Sequence, residues 1–309
     1  MEDTGYTKHL CAFIDILGYK NLVNDSEKKN NSISIIKKLE EIIGNVITEY
    51  IEHSSHGNMG PFDYEIFSDS IIITTPITLD YGDYNRSQLE LAPYICYLHD
   101  KLFQLSLILS GIQMQSLHAD IIFRGSISIG NHYRSSKIMF SKALVNAYTS
   151  ESKNAIYPRI IIDTVYQEDA LNTKEILESL VNMGILLKDN DYYFVDFIGR
   201  MCTFNTWSPE ITEINLMELK ELIEENLKLA SKDDSPKKVL HKYIWLAKYF
   251  NFSVKYTNLK INIDNPTVVK TNFQKAIPQH PRITIYDDDD NIEKVIDLTK
   301  LKPNEEIRI

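Results

Sequence analysis

The stretch His9-Leu-Cys-Ala-Phe-Ile-Asp15-Ile-Leu-Gly18-Tyr19 decides how the rest of the chain is read. Residues 9–16 are nearly all apolar and alternate poorly, which is the pattern of a central strand buried on both faces. Asp15 places a carboxylate where that strand should stop, and Gly18 permits a turn behind it. A second carboxylate, Asp69, lies in Phe67-Ser-Asp-Ser70. Short apolar runs flank it, at Tyr64 and Ile66 and over Ile71–Thr75, so the segment reads as a hairpin with a polar tip.

Outward from these two points, residues 20–52 carry Ile35, Ile36, Leu39, Ile42, Ile43, Val46 and Ile47 at helical spacing. His53 to Pro61 is a loop rich in Gly and Ser. Residues 88–117 predict a long buried helix, broken near Gly111, with Pro93 tolerated only in its first turn. Residues 121–130 alternate as a strand, 141–152 as a helix, and Arg159–Ile162 as a further strand. The leading order is strand, helix, strand, strand, helix, strand. That is the split βαβ unit, so the fold class expected is α+β, ferredoxin-like (βαββαβ). In this unit the first and third strands are antiparallel neighbours at the centre of the sheet. Asp15, at the end of the first, and Asp69, at the start of the third, are therefore expected to meet at one edge. Paired carboxylates there suit hard divalent cations and the triphosphate such cations carry.

The second half is less regular. Residues 174–186 predict a helix, Tyr192–Phe197 a strand, and Leu216–Leu229 and Pro236–Phe250 two amphipathic helices. Ser235 is the expected cap of the last, with Pro236 in its first turn. Arg282–Tyr286 reads as a short strand before the acidic run Asp287–Asp290. A soft boundary at 165–170 separates residues 1–167 from a mixed, partly helical appendage over 168–309.

With 309 residues, 43% of them hydrophobic, the chain can bury one large core or two smaller ones. Its formal net charge of −10 argues against non-specific coating of nucleic acid, which needs clustered Lys and Arg. No apolar run reaches the roughly 18–20 residues of a membrane span. The N-terminus is acidic and lacks the shape of a signal peptide. Cys11, Cys96 and Cys202 are scattered in apolar contexts, as reduced thiols of a cytoplasmic protein are.

Other motifs give less. Arg124-Gly-Ser-Ile-Ser-Ile-Gly130 lies in a strand and opens no helix, so it is not a dinucleotide-binding loop. Its glycines suit close approach by a ligand or a second subunit, and Arg124 suits either an ion pair or a phosphate contact. His53 and His56 lack further zinc ligands nearby. Asp287–Asp290 lacks the spaced ligands of a calcium loop. No Gly-x-Ser-x-Gly elbow is present. Tyr243, Trp245 and Tyr249 form an aromatic stripe that suits a core or a dimer surface.

Together these residues resemble the class III nucleotidyl cyclase family. Phe13, Asp15, Ile16, Gly18 and Tyr19 match its first metal motif. Ser68-Asp69-Ser70 matches its second, with Ser where the family has Gly, and Arg124 to Gly130 matches a later strand. The resemblance covers roughly residues 8–165. It implies a palm-type catalytic domain that turns a nucleoside triphosphate into a 3′,5′-cyclic nucleotide and pyrophosphate. It also implies two Mg²⁺ or Mn²⁺ ions at Asp15, Asp69 and the backbone of Ile16, and a homodimer with sites at its interface. Ile16, Leu17, Gly18 and Tyr19 would face the nucleotide phosphates, and Glu65 would stand at a base-reading position.

The helix that follows departs from the family. Val145 stands where the family has the Asn that meets ribose, and Thr149 where it has the Arg that meets phosphate. Asn146 could serve only after a one-residue slip, about 100° around the helix. Another cation is then needed, and Arg124, Arg134, Lys137 and Lys142 are candidates. The base-reading partner of Glu65 falls near apolar Ile138, a half-match that specifies no purine. The combination is more similar to the divergent bacterial pyrimidine cyclases of antiphage (Pycsar) systems, which make cyclic UMP or cyclic CMP. The missing Asn and Arg also fit a cyclase-fold nucleotide-binding or sensor protein without turnover. A palm-type polymerase or dinucleotide cyclase fits less well, because no Gly-Gly-Asp-Glu-Phe-like hairpin is present.

Overall fold

The computed structural model describes residues 5–28, 62–77, 91–165, 173–203, 209–232, 236–255, 261–263, 271–274, 282–286 and 292–297, with six single positions between 33 and 44. The first strand, β1 (Thr7–Ile16), leads through a turn at Gly18 into α1 (Tyr19–Lys28). The hairpin β2 (Asp63–Phe67) and β3 (Ser70–Pro76) comes next, then α2 (Leu91–Ser116) and β4 (Phe123–Arg134). The sheet begins in the order β2-β3-β1-β4. β1 is antiparallel to both β3 and β4, with Asp15 opposite Ser70 on one side and Arg124 on the other. This is the expected βαββαβ arrangement. Most of the helical pattern expected over 20–52, the loop after it and Asp287–Asp290 lie outside the described residues.

The period-two rule explains how β1 divides its side chains. Leu10, Ala12, Ile14 and Ile16 face one side, where they join one buried cluster with Leu98, Leu102, Leu105, Leu109 and Ile112 of α2. α2 runs without a break through Gly111, contrary to the interruption expected there. Its apolar residues nearly encircle it, and Pro93 falls in the first turn, where it removes no internal hydrogen bond. On the other face, Cys11 packs with Ala143 and Ala147 of α3 (Lys142–Asn154). Ser141 caps α3, its hydroxyl accepting from the amide of Leu144 at 3.0 Å.

Two glycines of β4 serve the fold itself, where close approach of a ligand or second subunit was expected. A Cβ at Gly125 would overlap the Phe13 carbonyl of β1, and one at Gly130 would press on the backbone of Ala143 in α3. The short strand β5 (Met139–Ser141) folds back on the end of β4, and β6 (Ile160–Ile162) lies parallel to β4 after α3.

The sheet does not stop at the expected boundary near 165–170. After α4 (Thr173–Asn182), strands β7 (Leu186–Asp189) and β8 (Tyr192–Val195) extend it from β6, and β9 (Phe273–Gln274) adds to β7. Ile176, Leu177, Leu180, Leu186 and Val195 belong to the same buried cluster as β1 and α2. α4 is shorter than expected because Gly184, at φ +69°, ends it, with the Ile185 amide returning to the Leu180 carbonyl.

A second core holds α5 (Phe197–Thr203), α6 (Pro209–Ala230) and α7 (Lys237–Val254). Trp245 and Tyr249 are fully buried in it, so that part of the aromatic stripe is core. Pro236 is the N-cap residue of α7, with no side-chain capping bond, and does not sit within the first turn. Arg159, just before β6, fixes this layer to the sheet. Its Nη1 donates to Asp189 at 3.0 Å, and Trp245 Nε1 donates to the same carboxylate at 2.8 Å. The rings of Tyr157, Tyr192, Phe194 and Trp245 surround the guanidinium at 4.8–5.8 Å. A separate hairpin, β10 (Arg282–Tyr286) and β11 (Ile292–Asp297), completes the described elements.

Candidate active site

Asp15 and Asp69 converge at one sheet edge because β1 ends where β3 begins. The Ile16 amide donates to the Asp69 carbonyl at 3.1 Å. The charge of Asp69 is felt at Asp15, whose carboxyl is raised above its ordinary pKa by burial first and by Asp69 in addition. Asp69 sits on a two-residue hairpin turn in which Ser68 adopts φ +59°. That left-handed conformation is the one glycine favours and a residue with a Cβ rarely adopts.

Arg124 lies beside Asp15 on β4 and grips it with two bonds, Nε to Oδ1 at 3.0 Å and Nη2 to Oδ2 at 3.1 Å. The same guanidinium reaches Glu151 of α3, with Nη2 2.7 Å from Oε1, and its Nη1 donates to the Ala155 carbonyl at 3.5 Å. Burial alone would lower the pKa of Arg124. The bond to Asp15 and the charges of Asp15, Glu151 and Asp69 outweigh it and hold the group above its usual value. Glu151 is raised by burial and then by the charge of Asp15.

Lys242 of α7 acts on the same cluster. Burial, then the positive charge of Arg124, lowers its pKa, while Asp15 and Glu151 oppose that shift. Its place follows from the helix: Trp245, three residues on, stacks on Tyr157 at 5.3 Å, and Tyr157 follows closely on the carbonyl that Arg124 touches. The appendage thus contributes a cation whose charge is felt at Asp15 and Glu151. Sequence reasoning missed Glu151 and Lys242. Glu151 sits on a helix that reads as partly polar, and no local signal links Lys242 to a strand more than two hundred residues earlier.

The remaining expected residues fall elsewhere. Lys142 opens α3, nine residues and about 13 Å of helix from Glu151, so it stands away from the two aspartates. Asn146 is 3% exposed on the face of α3 made by Ala143, Ala147, Ser150 and Glu151, turned into the sheet. Val145 points outward, and the hydroxyl of Thr149 donates back to the Val145 carbonyl at 2.6 Å. Glu65 is paired with Arg134. Ile16 and Leu17 offer no free amide for phosphate, because Ile16 N donates to Asp69 and Leu17 N donates to the Ile122 carbonyl at 2.8 Å. Gly18, at φ +82°, turns the chain into α1, whose first-turn amides, beginning at Tyr19, have no partner within the helix.

The donor chemistry fits a hard divalent ion. Asp15, Asp69 and a strand-end carbonyl at Ile16 supply oxygen only, and ions such as Mg²⁺ often take one or two protein carboxylates and leave the rest to phosphate and water. Among the described residues no group of three or more His, Cys, Asp or Glu side chains is arranged to hold a metal alone. The fit is contested at Asp15, whose two oxygens already accept from Arg124.

No family model matches the chain, and no curated protein matches it. Two of the solved structures that resemble it are nucleotide cyclases. The adenylyl cyclase CyaB from P. aeruginosa aligns over 62% of this chain and 94% of its own, with 13% identity and a TM-score of 0.36. The guanylyl cyclase Cya2 aligns over 53% of this chain and 79% of its own, with 15% identity and a TM-score of 0.29. No helix among the described residues is long and apolar enough to cross a membrane.

Proposed function

We propose that this chain is a nucleotidyl cyclase, a phosphorus–oxygen lyase that closes a nucleoside triphosphate to its 3′,5′-cyclic monophosphate and releases pyrophosphate. The observation that carries the reading is the meeting of Asp15 and Asp69 on adjacent strand ends, joined through the Ile16 amide. Asp15 and Asp69 would hold two Mg²⁺ or Mn²⁺ ions. Bound there, the ions would lower the pKa of the ribose 3′-hydroxyl and neutralise the triphosphate.

The chain's own groups have distinct parts in this reading. Asp15 and Asp69 fix the sheet edge against which the triphosphate lies. The first turn of α1 presents amides to phosphate oxygens. Lys242 takes the place of the absent helix arginine and faces charge developing on the phosphates. Glu65 is engaged by Arg134 and Ile138 is exposed and apolar, which favours a base other than guanine. With the sequence resemblance, this supports a pyrimidine nucleotide as substrate and cyclic UMP or cyclic CMP as an antiphage signal. Exposed Phe67, Phe140, Val145 and Tyr148 offer an apolar surface for a homodimer in the cytoplasm.

Purified protein incubated with each of the four NTPs and Mn²⁺ should give a cyclic monophosphate, and Asp15→Asn should give none. No product from any NTP, under conditions where an authentic cyclase turns over, would contradict the proposal. One observation favours a second reading, a nucleotide-binding protein without turnover: Arg124 occupies both oxygens of Asp15. Calorimetry separates the two, since tight NTP binding with no product would support the second.

A further inference from the structure

Glu151 is a buried carboxylate, 2% exposed, for which the cyclase chemistry above has no use. It lies on the buried face of α3, with Oε1 2.7 Å from Arg124 Nη2, the nitrogen that also donates to Asp15. The guanidinium therefore has two sets of anchors. Asp15 accepts from Nε and Nη2, while Glu151 forms an ion pair at Nη2 and the Ala155 carbonyl accepts from Nη1. Only the first set involves a residue that a metal ion would claim.

A divalent ion and Arg124 compete for the same two oxygens of Asp15. If Arg124 had no other carboxylate, giving up Asp15 would strand a largely buried cation, and metal binding would carry that penalty. Glu151 is placed to prevent this. We propose that Glu151 is a positioning residue that retains Arg124 when Asp15 passes to a divalent ion, so that the exchange of cations on Asp15 proceeds without a stranded charge. The inference rests on the reading of Asp15 and Asp69 as metal-binding. It goes further by assigning α3 a part in ion entry. Before exchange, the carboxylates of Asp15, Asp69 and Glu151 outnumber the cations Arg124 and Lys242. After exchange both cations stay, and each divalent ion adds positive charge, so the edge turns from anion-rich to cation-rich as it loads and becomes ready for a triphosphate.

Mn²⁺ affinity of the full chain, read from the electron paramagnetic resonance signal of free Mn²⁺, tests this without reference to turnover. Glu151→Gln should weaken Mn²⁺ binding by about tenfold or more. Arg124→Gln should tighten it, because the competing cation is gone. In the Arg124→Gln background, Glu151→Gln should change affinity by less than about twofold, since no guanidinium remains to be placed. Glu151→Asp, which keeps the charge, should fall between wild type and Glu151→Gln and serves if Glu151→Gln does not fold. Equal weakening by Glu151→Gln in both backgrounds would overturn the proposal, because Glu151 would then act on the ion or the fold directly. So would unchanged affinity in both. Asp15→Asn should abolish tight Mn²⁺ binding in every background. If it does not, the metal reading itself fails, a result distinct from failure of the Glu151 assignment.

Discussion

Ser68 holds a left-handed conformation at the turn that presents Asp69. A residue with a Cβ is strained there by roughly 1–2 kcal/mol, and glycine's greater backbone freedom when unfolded recovers only part of that. Ser68→Gly should therefore stabilise the protein by about 0.5–1 kcal/mol, seen as a higher midpoint in urea with an unchanged slope. A lower midpoint would show that the Ser68 side chain contributes more than its backbone strain removes. At this scale the sequence was informative where a residue type conflicts with its surroundings. Asp15 in an apolar run and Asp69 in a short tip were both legible for that reason. Glu151 and Lys242 were not, since each sits on a helix where a charged residue is ordinary and only the packing brings it to Asp15.

Strands β1 and β4 are the central pair, and their far end carries a second ionisable contact. The rings of His9 and His132 pack at a 35° tilt with centres 4.3 Å apart, and among the described residues the buried Nδ1 of His132 has no hydrogen-bond partner. Burial first, then the charge of His9, pushes the pKa of His132 down to about 4. Below the ordinary histidine value of 6.5 the unfolded chain takes up a proton that the folded chain refuses. Stability should thus fall as pH drops from about 6.5 towards 4, and His132→Phe should flatten that fall in pH-dependent denaturant titrations. An identical pH profile for the variant would contradict the account.

Elements with strong patterns were legible in the sequence: the apolar runs of β1 and β3, the long apolar α2 and the helix α3. The short strands β5, β7 and β9 were not. They run two to four residues, too few for a period to show, and they are strands because neighbours already in the sheet offer free edges.

On the scale of the molecule, the appendage is built into the sheet and into the site. Ile176, Leu177, Leu180, Leu186, Tyr193 and Val195 complete the core that β1 and α2 begin, and the charge of Lys242 on α7 acts on Asp15 and Glu151. A chain ending at Gln167 should therefore lose its cooperative thermal transition or aggregate. A sharp transition and intact Mn²⁺ binding in that shortened chain would show that residues 1–167 stand alone, as the soft boundary read at 165–170 expects. That boundary follows the change from a regular strand-helix order to a less regular second half. The continuity of the sheet across it depends on Arg159, Asp189 and Trp245, which are far apart in sequence and carry no local signature.

The central claim is that Asp15 and Asp69 direct cyclisation of a nucleoside triphosphate. Its most direct measurement is mass spectrometry of the nucleotide pool in cells expressing the wild-type chain or Asp69→Ala at equal levels. A 3′,5′-cyclic nucleotide, cyclic UMP or cyclic CMP foremost, should accumulate with the wild type and return to background with Asp69→Ala. Equal amounts of cyclic nucleotide in the two, or none above background in either despite folded protein, would contradict the account.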